Sequence, residues 1–96
     1  MNVTGLDKLE EFKKLYPKSK KPLENWLRVV QSNEFKHPAQ LRQTFNSVDF
    51  IKGYTIFDIG GNNYRLIAVV VYIQGALRIL HILTHEEYDR GKWRKT

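Results

Sequence analysis

The sequence predicts an α+β fold, with N-terminal helices packed on one face of a twisted antiparallel β-sheet. Three observations lead there. Up to Phe45, apolar residues recur at three- and four-residue spacing. From Val48 onward the chain is rich in β-branched and aromatic runs instead. Two polar, glycine-bearing breaks, Gly60-Gly61-Asn62-Asn63 and Gln74-Gly75, cut that second half into strand-length pieces.

Each element follows in order. Residues Met1 to Thr4 read as a short leading strand. From Asp7, a plausible cap, Leu9, Phe12, Leu15 and Tyr16 share one helical face, and Pro17 ends that helix. After Pro22, the set Leu23, Trp26, Leu27 and Val30 repeats the i, i+3, i+4, i+7 pattern, which predicts a second helix to about Ser32 or Asn33. A short third helix is expected from Pro38 to Thr44, started at His37, with Leu41 and Phe45 inward. Val48 to Ile59 reads as one strand bent at Lys52-Gly53. Gly60 to Asn63 accept the positive φ of a tight turn. Tyr64 to Tyr72, apolar on both faces after Arg65, is expected at the centre of the sheet. Leu77 to Leu83 is the last strand, followed by the polar stretch Thr84 to Asp89. Helices on one face only would leave the other concave and partly open, the natural seat for a ligand.

At 96 residues the chain reads as one domain, 1–96, with 90–96 as a basic C-terminal tail. Cysteine is absent, which excludes disulfides, zinc ribbons and thiol nucleophiles. The opening residues, with Asp7, Glu10, Glu11 and a run of lysines, do not read as a signal peptide. The run Leu66 to Ile73 is too short to span a bilayer, so a cytoplasmic protein without membrane contact is expected. The net charge of +6 points to a polyanion partner, nucleic acid or ribosome, or to an acidic protein. Lys13, Lys14, Lys18, Lys20 and Lys21 crowd the helical region, and Arg90, Lys92, Arg94 and Lys95 the C-terminus.

Gly61-Asn62-Asn63-Tyr64-Arg65-Leu66 resembles the G-N-x-Y-R-L segment of HigB-type toxins, and Thr84-His85-Glu86-Glu87-Tyr88-Asp89 their T-H-x-E-Y-D segment. The spacing between the two is similar as well. Leu9 to Trp26, Phe35 to Pro38 and Ser47 to Phe50 stand where that family has like blocks, so the resemblance runs from Met1 to about Asp89. It implies the RelE-like toxin fold and a metal-independent endoribonuclease that cleaves mRNA, typically on the translating ribosome. It implies no cofactor. The implied partners are a HigA-type helix-turn-helix antitoxin, mRNA and ribosome, with operator DNA reached only through the antitoxin complex. Two positions depart from the family, in which many members carry lysine at Gly60 and arginine at Leu80.

Metal-free RNA cleavage needs a base for the 2′-hydroxyl proton, an acid for the leaving 5′-oxygen and a cation for the phosphate charge. His85, Arg65 and Tyr88 are the candidate catalytic residues. His85 serves acid–base chemistry near neutral pH; the competing reading makes it a surface residue in a capping box of Thr84 and Glu87. Arg65 presents its fork to a phosphate, or pairs across the strands with Asp58 if Gly61-Asn62 are the central turn residues. Tyr88 shares a helical face with His85, and either assists there or packs the tail on the sheet. Lys52, Asn62, Lys92, Trp93 and Arg94 are candidate RNA contacts, the last three mixing cations with an aromatic; a frayed terminus is the alternative. His81 reads as a satisfied sheet histidine. No metal site is expected, because His81 and His85 lie about 13 Å apart along a strand and His85-Glu86-x-x-Asp89 lacks a second histidine. Two rivals stand beside the enzyme: a basic module that blocks RNA or ribosome without cutting, and an inactive toxin relic.

Overall fold

A computed structural model describes residues 1–95, with side chains through Arg94; Thr96, the end of the expected tail, lies outside them. The order of elements is β1 (Asn2–Thr4), α1 (Leu6–Leu15), a 3₁₀ turn (Pro17–Ser19), α2 (Lys20–Gln31), α3 (Pro38–Thr44), β2 (Asp49–Ile51), β3 (Tyr54–Ile59), β4 (Tyr64–Val71), a 3₁₀ turn (Tyr72–Gln74), β5 (Ala76–Thr84), α4 (His85–Arg90) and a last 3₁₀ turn (Lys92–Lys95). The sheet runs β1-β5-β4-β3-β2, so β4 is central as its two apolar faces require. The β2–β5 segment is antiparallel throughout, and β1 adds a parallel edge against Ala76, Leu77 and Arg78.

The helices form as their spacing dictates. Leu9 and Phe12 of α1 and Leu23, Trp26 and Val30 of α2 are buried. Leu15, on the last turn of α1, is instead 74% exposed. Asp7 lies inside α1 rather than capping it; the cap position is Gly5, at φ +84°. A Cβ there would stand 2.6 Å from the Ile79 carbonyl oxygen, so only glycine fits where α1 leaves the sheet. Pro22 falls in the first turn of α2, where its missing N–H costs nothing. Trp26 and Phe45 pack edge-on against Phe57, at 5.3 and 5.1 Å between ring centres, and so tie α2 and the end of α3 to β3.

Two expectations about the sheet change. Val48 to Ile59 is not one bent strand: Asp49 pairs with Ile56 and Ile51 with Tyr54, a hairpin whose turn is Lys52-Gly53. Lys52 takes φ +49° to make it. The face away from α1 and α2 is not open either. A second apolar cluster forms there from Ile56, Ile67 and Trp93, with Ile51, Tyr54, Leu83 and Tyr88 packed around it. The C-terminal segment thus folds back over the outer face and leaves only grooves beside it.

Candidate active site

The site is built at the end of β3 and β4. Ile59 pairs with Tyr64, which makes Gly60 to Asn63 a four-residue turn centred on Gly61-Asn62. Gly60 and Gly61 take φ +62° and +67°. That turn length sets Asp58 opposite Arg65, as the sequence predicts, and the Arg65 Nε lies 3.1 Å from an Asp58 carboxylate oxygen. The guanidinium also donates to the backbone oxygens of Asn62 and Tyr64, at 3.2 and 3.1 Å, and to the Asn62 side-chain oxygen. Arg65 is only 9% exposed. Its fork therefore braces the turn, and its flat face lies 5.4 Å from the centre of the Tyr88 ring.

His85 enters from the other side. The Thr84 hydroxyl accepts from the Glu87 N–H, and the Glu87 carboxylate accepts from the Thr84 N–H at 3.0 Å, a complete capping box. The His85 N–H donates to the Asn63 carbonyl at 2.9 Å, which ties the start of α4 to the β3–β4 turn. The His85 Nδ1 sits 2.9 Å from the Asp89 carboxylate, one helical turn on. Asp89 is not among the candidate residues read from the sequence, although its i, i+4 spacing from His85 carries the signal. An Nδ1 bonded to a carboxylate carries the proton of neutral imidazole, so Nε2 is the lone-pair nitrogen. The ring is less than half exposed, open enough for a substrate to reach.

Tyr88 lies between Arg65 and Trp93, whose ring stacks on it at 5.4 Å and 13°. Trp93 is 4% exposed, meets Tyr54 edge-on at 5.7 Å and donates its indole N–H to the Tyr88 carbonyl at 3.3 Å. The indole is thus a structural anchor rather than a platform for RNA bases, because its stacking face is taken. The tail does not fray at Lys92 to Arg94 but forms a helical turn. Lys92 and Arg94 stay exposed, and the Arg94 guanidinium lies 5.2 Å from the Trp93 ring centre. Asn62 belongs to the site through its bond to Arg65. Lys52 does not: it sits at the far end of β3 from the Gly60–Asn63 turn, about 20 Å along the strand.

His81 is displaced from where plain alternation would put it. Ile67 pairs with His81 but Ala68 with Ile79, so Leu80 is an extra residue, a β-bulge. His81 and Leu83 are turned by it to the outer face, opposite Ile67 and Arg65. There they line a groove of about 400 Å³ with Glu87, Arg90, Lys92 and Trp93. Burial first, and the nearby Lys8 second, hold the His81 imidazole below its ordinary pKa. No helix among the described residues is long and apolar enough to cross a membrane.

Comparison with known proteins bears on this cluster. Residues 19–91 match the HigB toxin family, described as a RelE-like toxic component of a toxin–antitoxin system. An mRNA interferase HigB of Escherichia coli O6:H1 (strain CFT073) is 30% identical over 93 residues, spanning 94% of this chain and 90% of that protein. The mRNA interferase toxin HigB of Escherichia coli K12 is 30% identical over 92 residues, 93% of this chain and 88% of its own. An mRNA interferase HigB of Shigella flexneri matches to the same extent. The family match takes in Asp58, Arg65, His85, Tyr88 and Asp89 alike.

Proposed function

We propose, from the premise that the chain belongs to the HigB family of RelE-like toxins, that it is an endoribonuclease that cuts mRNA by side-chain acid–base chemistry. The observation that carries this reading is the His85–Asp89 pair set against the Arg65-braced turn. His85 takes the 2′-hydroxyl proton at Nε2 while Asp89 steadies the imidazolium that results. The 2′-oxygen then attacks phosphorus, the bond to the 5′-oxygen breaks, and the Tyr88 hydroxyl supplies the proton that the leaving oxygen needs. A 2′,3′-cyclic phosphate and a free 5′-hydroxyl are the products. The Arg65 guanidinium, held by Asp58, Asn62 and Tyr64, is the cation this reading sets against the phosphate charge.

The ribosome is the setting this reading assigns to the reaction, with the +6 charge drawing the chain to RNA. A HigA-type antitoxin is the partner that restrains it, and the cytoplasm is where it acts. The test is brief induction in cells followed by mapping of transcript 5′ ends, with and without the neighbouring antitoxin gene. Wild type is expected to stop growth and produce new 5′ ends, and the antitoxin to suppress both. His85→Ala should lose about 100- to 10,000-fold of the cutting, and Asp89→Asn about tenfold, since its carboxylate is well exposed. Growth arrest with intact transcripts would sink the enzyme and leave a basic module that blocks translation by occupancy.

A further inference from the structure

One basic stretch takes no part in the chemistry above. The nine residues from Lys13 to Lys21 hold five lysines and no acid. They form the corner where α1 ends, the 3₁₀ turn Pro17–Ser19 follows and α2 begins. The corner is tied down from within: the Tyr16 carbonyl accepts from the Ser19 N–H at 2.8 Å and from the Ser19 hydroxyl at 2.6 Å, and Ser19 is buried. Around that anchor Lys14, Lys18, Lys20 and Lys21 are exposed, and so are Leu15 and Tyr16. Cations interleaved with an exposed aromatic ring grip a single strand, the phosphates on the charges and a base on the ring. We infer that this corner binds the mRNA strand beside the cut, with Lys18 and Lys21 on its phosphates and Tyr16 under a base. This rests on the endoribonuclease reading above and gives its substrate a second hold.

The corner adjoins the candidate active site. A Cβ on Gly60 would lie 3.5 Å from the Pro22 ring, so the Gly60–Asn63 turn rests on the first turn of α2, next to Lys21. The Tyr16 ring lies 4.6 Å from Phe12 and 6.1 Å from Tyr64, centre to centre. Tyr64 in turn pairs with Thr84, the residue before His85. The lysine corner and the catalytic candidate are thus neighbours through Tyr64, and one strand can lie across both. The acids at hand are already engaged. Lys13 holds Glu10 at 2.6 Å and Glu24 at 3.4 Å, in a groove that Lys14 and Lys20 also line. Glu11 lines a different groove, with Lys8 and β5. Asn25, one helical turn on from Lys21, accepts from Arg28, which adds a further cation to that face of α2. Lys18 and Lys21 belong to neither acidic groove, and so are the two charges assigned to phosphate.

The test measures binding of a 2′-O-methyl oligoribonucleotide, which offers no 2′-hydroxyl to cut through, by fluorescence anisotropy over a salt series. Each lysine on a single-strand phosphate contributes about 0.7 to the salt slope, which is about fivefold in affinity at about 0.1 M salt. Lys18→Gln/Lys21→Gln should therefore bind about 25-fold more weakly, with a slope smaller by about 1.4. Tyr16→Leu keeps an apolar cover on Phe12 and should bind at least about fivefold more weakly at an unchanged slope. Lys36→Gln/Arg78→Gln removes the same charge at the other end of the sheet, beside Gly75 and Thr4, and should bind within about twofold of wild type. Thermal melting checks that each variant is folded. Equal losses in the two double variants would make the effect one of net charge and overturn the proposal, as would an unchanged slope in Lys18→Gln/Lys21→Gln or an unchanged affinity in Tyr16→Leu. A loss seen with ribosomes and not with the oligomer would assign the corner to ribosomal RNA and overturn it too. Wild type that binds the oligomer yet leaves cellular transcripts intact overturns the underlying endoribonuclease reading instead.

Discussion

Replacing Asp58 by asparagine separates the two roles that the sequence leaves open for Arg65. The ion pair is short, at 3.1 Å, and its side chains are only 10% and 29% exposed. Unit charges about 4 Å apart interact by about 1 kcal/mol in water and about 4 kcal/mol at an effective dielectric of 20. A half-buried pair falls between, so removing the charge while asparagine keeps an acceptor oxygen should cost about 2 kcal/mol. Asp58→Ala, which also strips the acceptor from a buried guanidinium N–H, should cost about 3 kcal/mol. For a chain this size each kcal/mol moves Tm by about 4–8 °C, so the asparagine variant should melt about 8–15 °C lower. Thermal unfolding followed by circular dichroism measures this, and a cycle with Arg65→Gln isolates the pair, with an expected coupling above about 1 kcal/mol. The deficit should change little with added salt, because a half-buried pair is poorly screened. If Arg65 were instead a fork held ready for phosphate, losing Asp58 would free it. A variant that melts within about 3 °C of wild type and binds RNA more tightly would refute the bracing role.

Two other outcomes follow from the outer face. Trp93→Ala should strip the anchor from the second cluster and cost about 2–3 kcal/mol, below the usual 3–5 for a core tryptophan because only the C-terminal segment need undock; amide exchange should then quicken in α4 well before the sheet. His81 should titrate below the ordinary histidine value of about 6.5 in an NMR pH series, and Lys8→Ala should move its midpoint up. A folded-state pKa below the unfolded one means the unfolded chain binds more protons, so stability should fall as pH drops from 6.5 through the His81 midpoint. A midpoint above 6.5 would contradict the burial that the structure gives this ring.

How much of this is legible in the sequence depends on how local the cause is. The α3 bounds, the Asp58–Arg65 pairing and the Thr84–Glu87 cap are local, since a proline start, a turn length or a three-residue spacing fixes each. The β2–β3 hairpin is hidden because Lys52, a residue that rarely takes positive φ, makes the turn inside an unbroken β-branched run. The bulge is hidden because the extra residue, Leu80, is an ordinary apolar strand residue and no glycine marks the phase slip in β5. Docking of Trp93 is hidden because its partners, Tyr54 and Ile56, are distant in sequence. Nothing in Arg90 to Lys95 alone distinguishes an anchored turn from a loose basic tail.

The site depends on legible and hidden features together. A helix of six residues does not persist on its own propensity, since isolated helices shorter than about 12–15 residues are marginal in water. Three supports hold α4: the capping box at its start, the His85 N–H bonded to Asn63, and Tyr88 clasped between Arg65 and Trp93. The i, i+4 contact of His85 with Asp89 exists only while α4 is helical. The turn that Arg65 braces is the same turn that receives the His85 N–H, so a disturbance at Asp58 reaches the imidazole through Asn63. One that lifts Trp93 reaches it through Tyr88. Stability of the outer-face cluster and placement of the catalytic candidate are therefore a single property of this chain, and substitutions at Asp58 or Trp93 should lower cutting at every site alike.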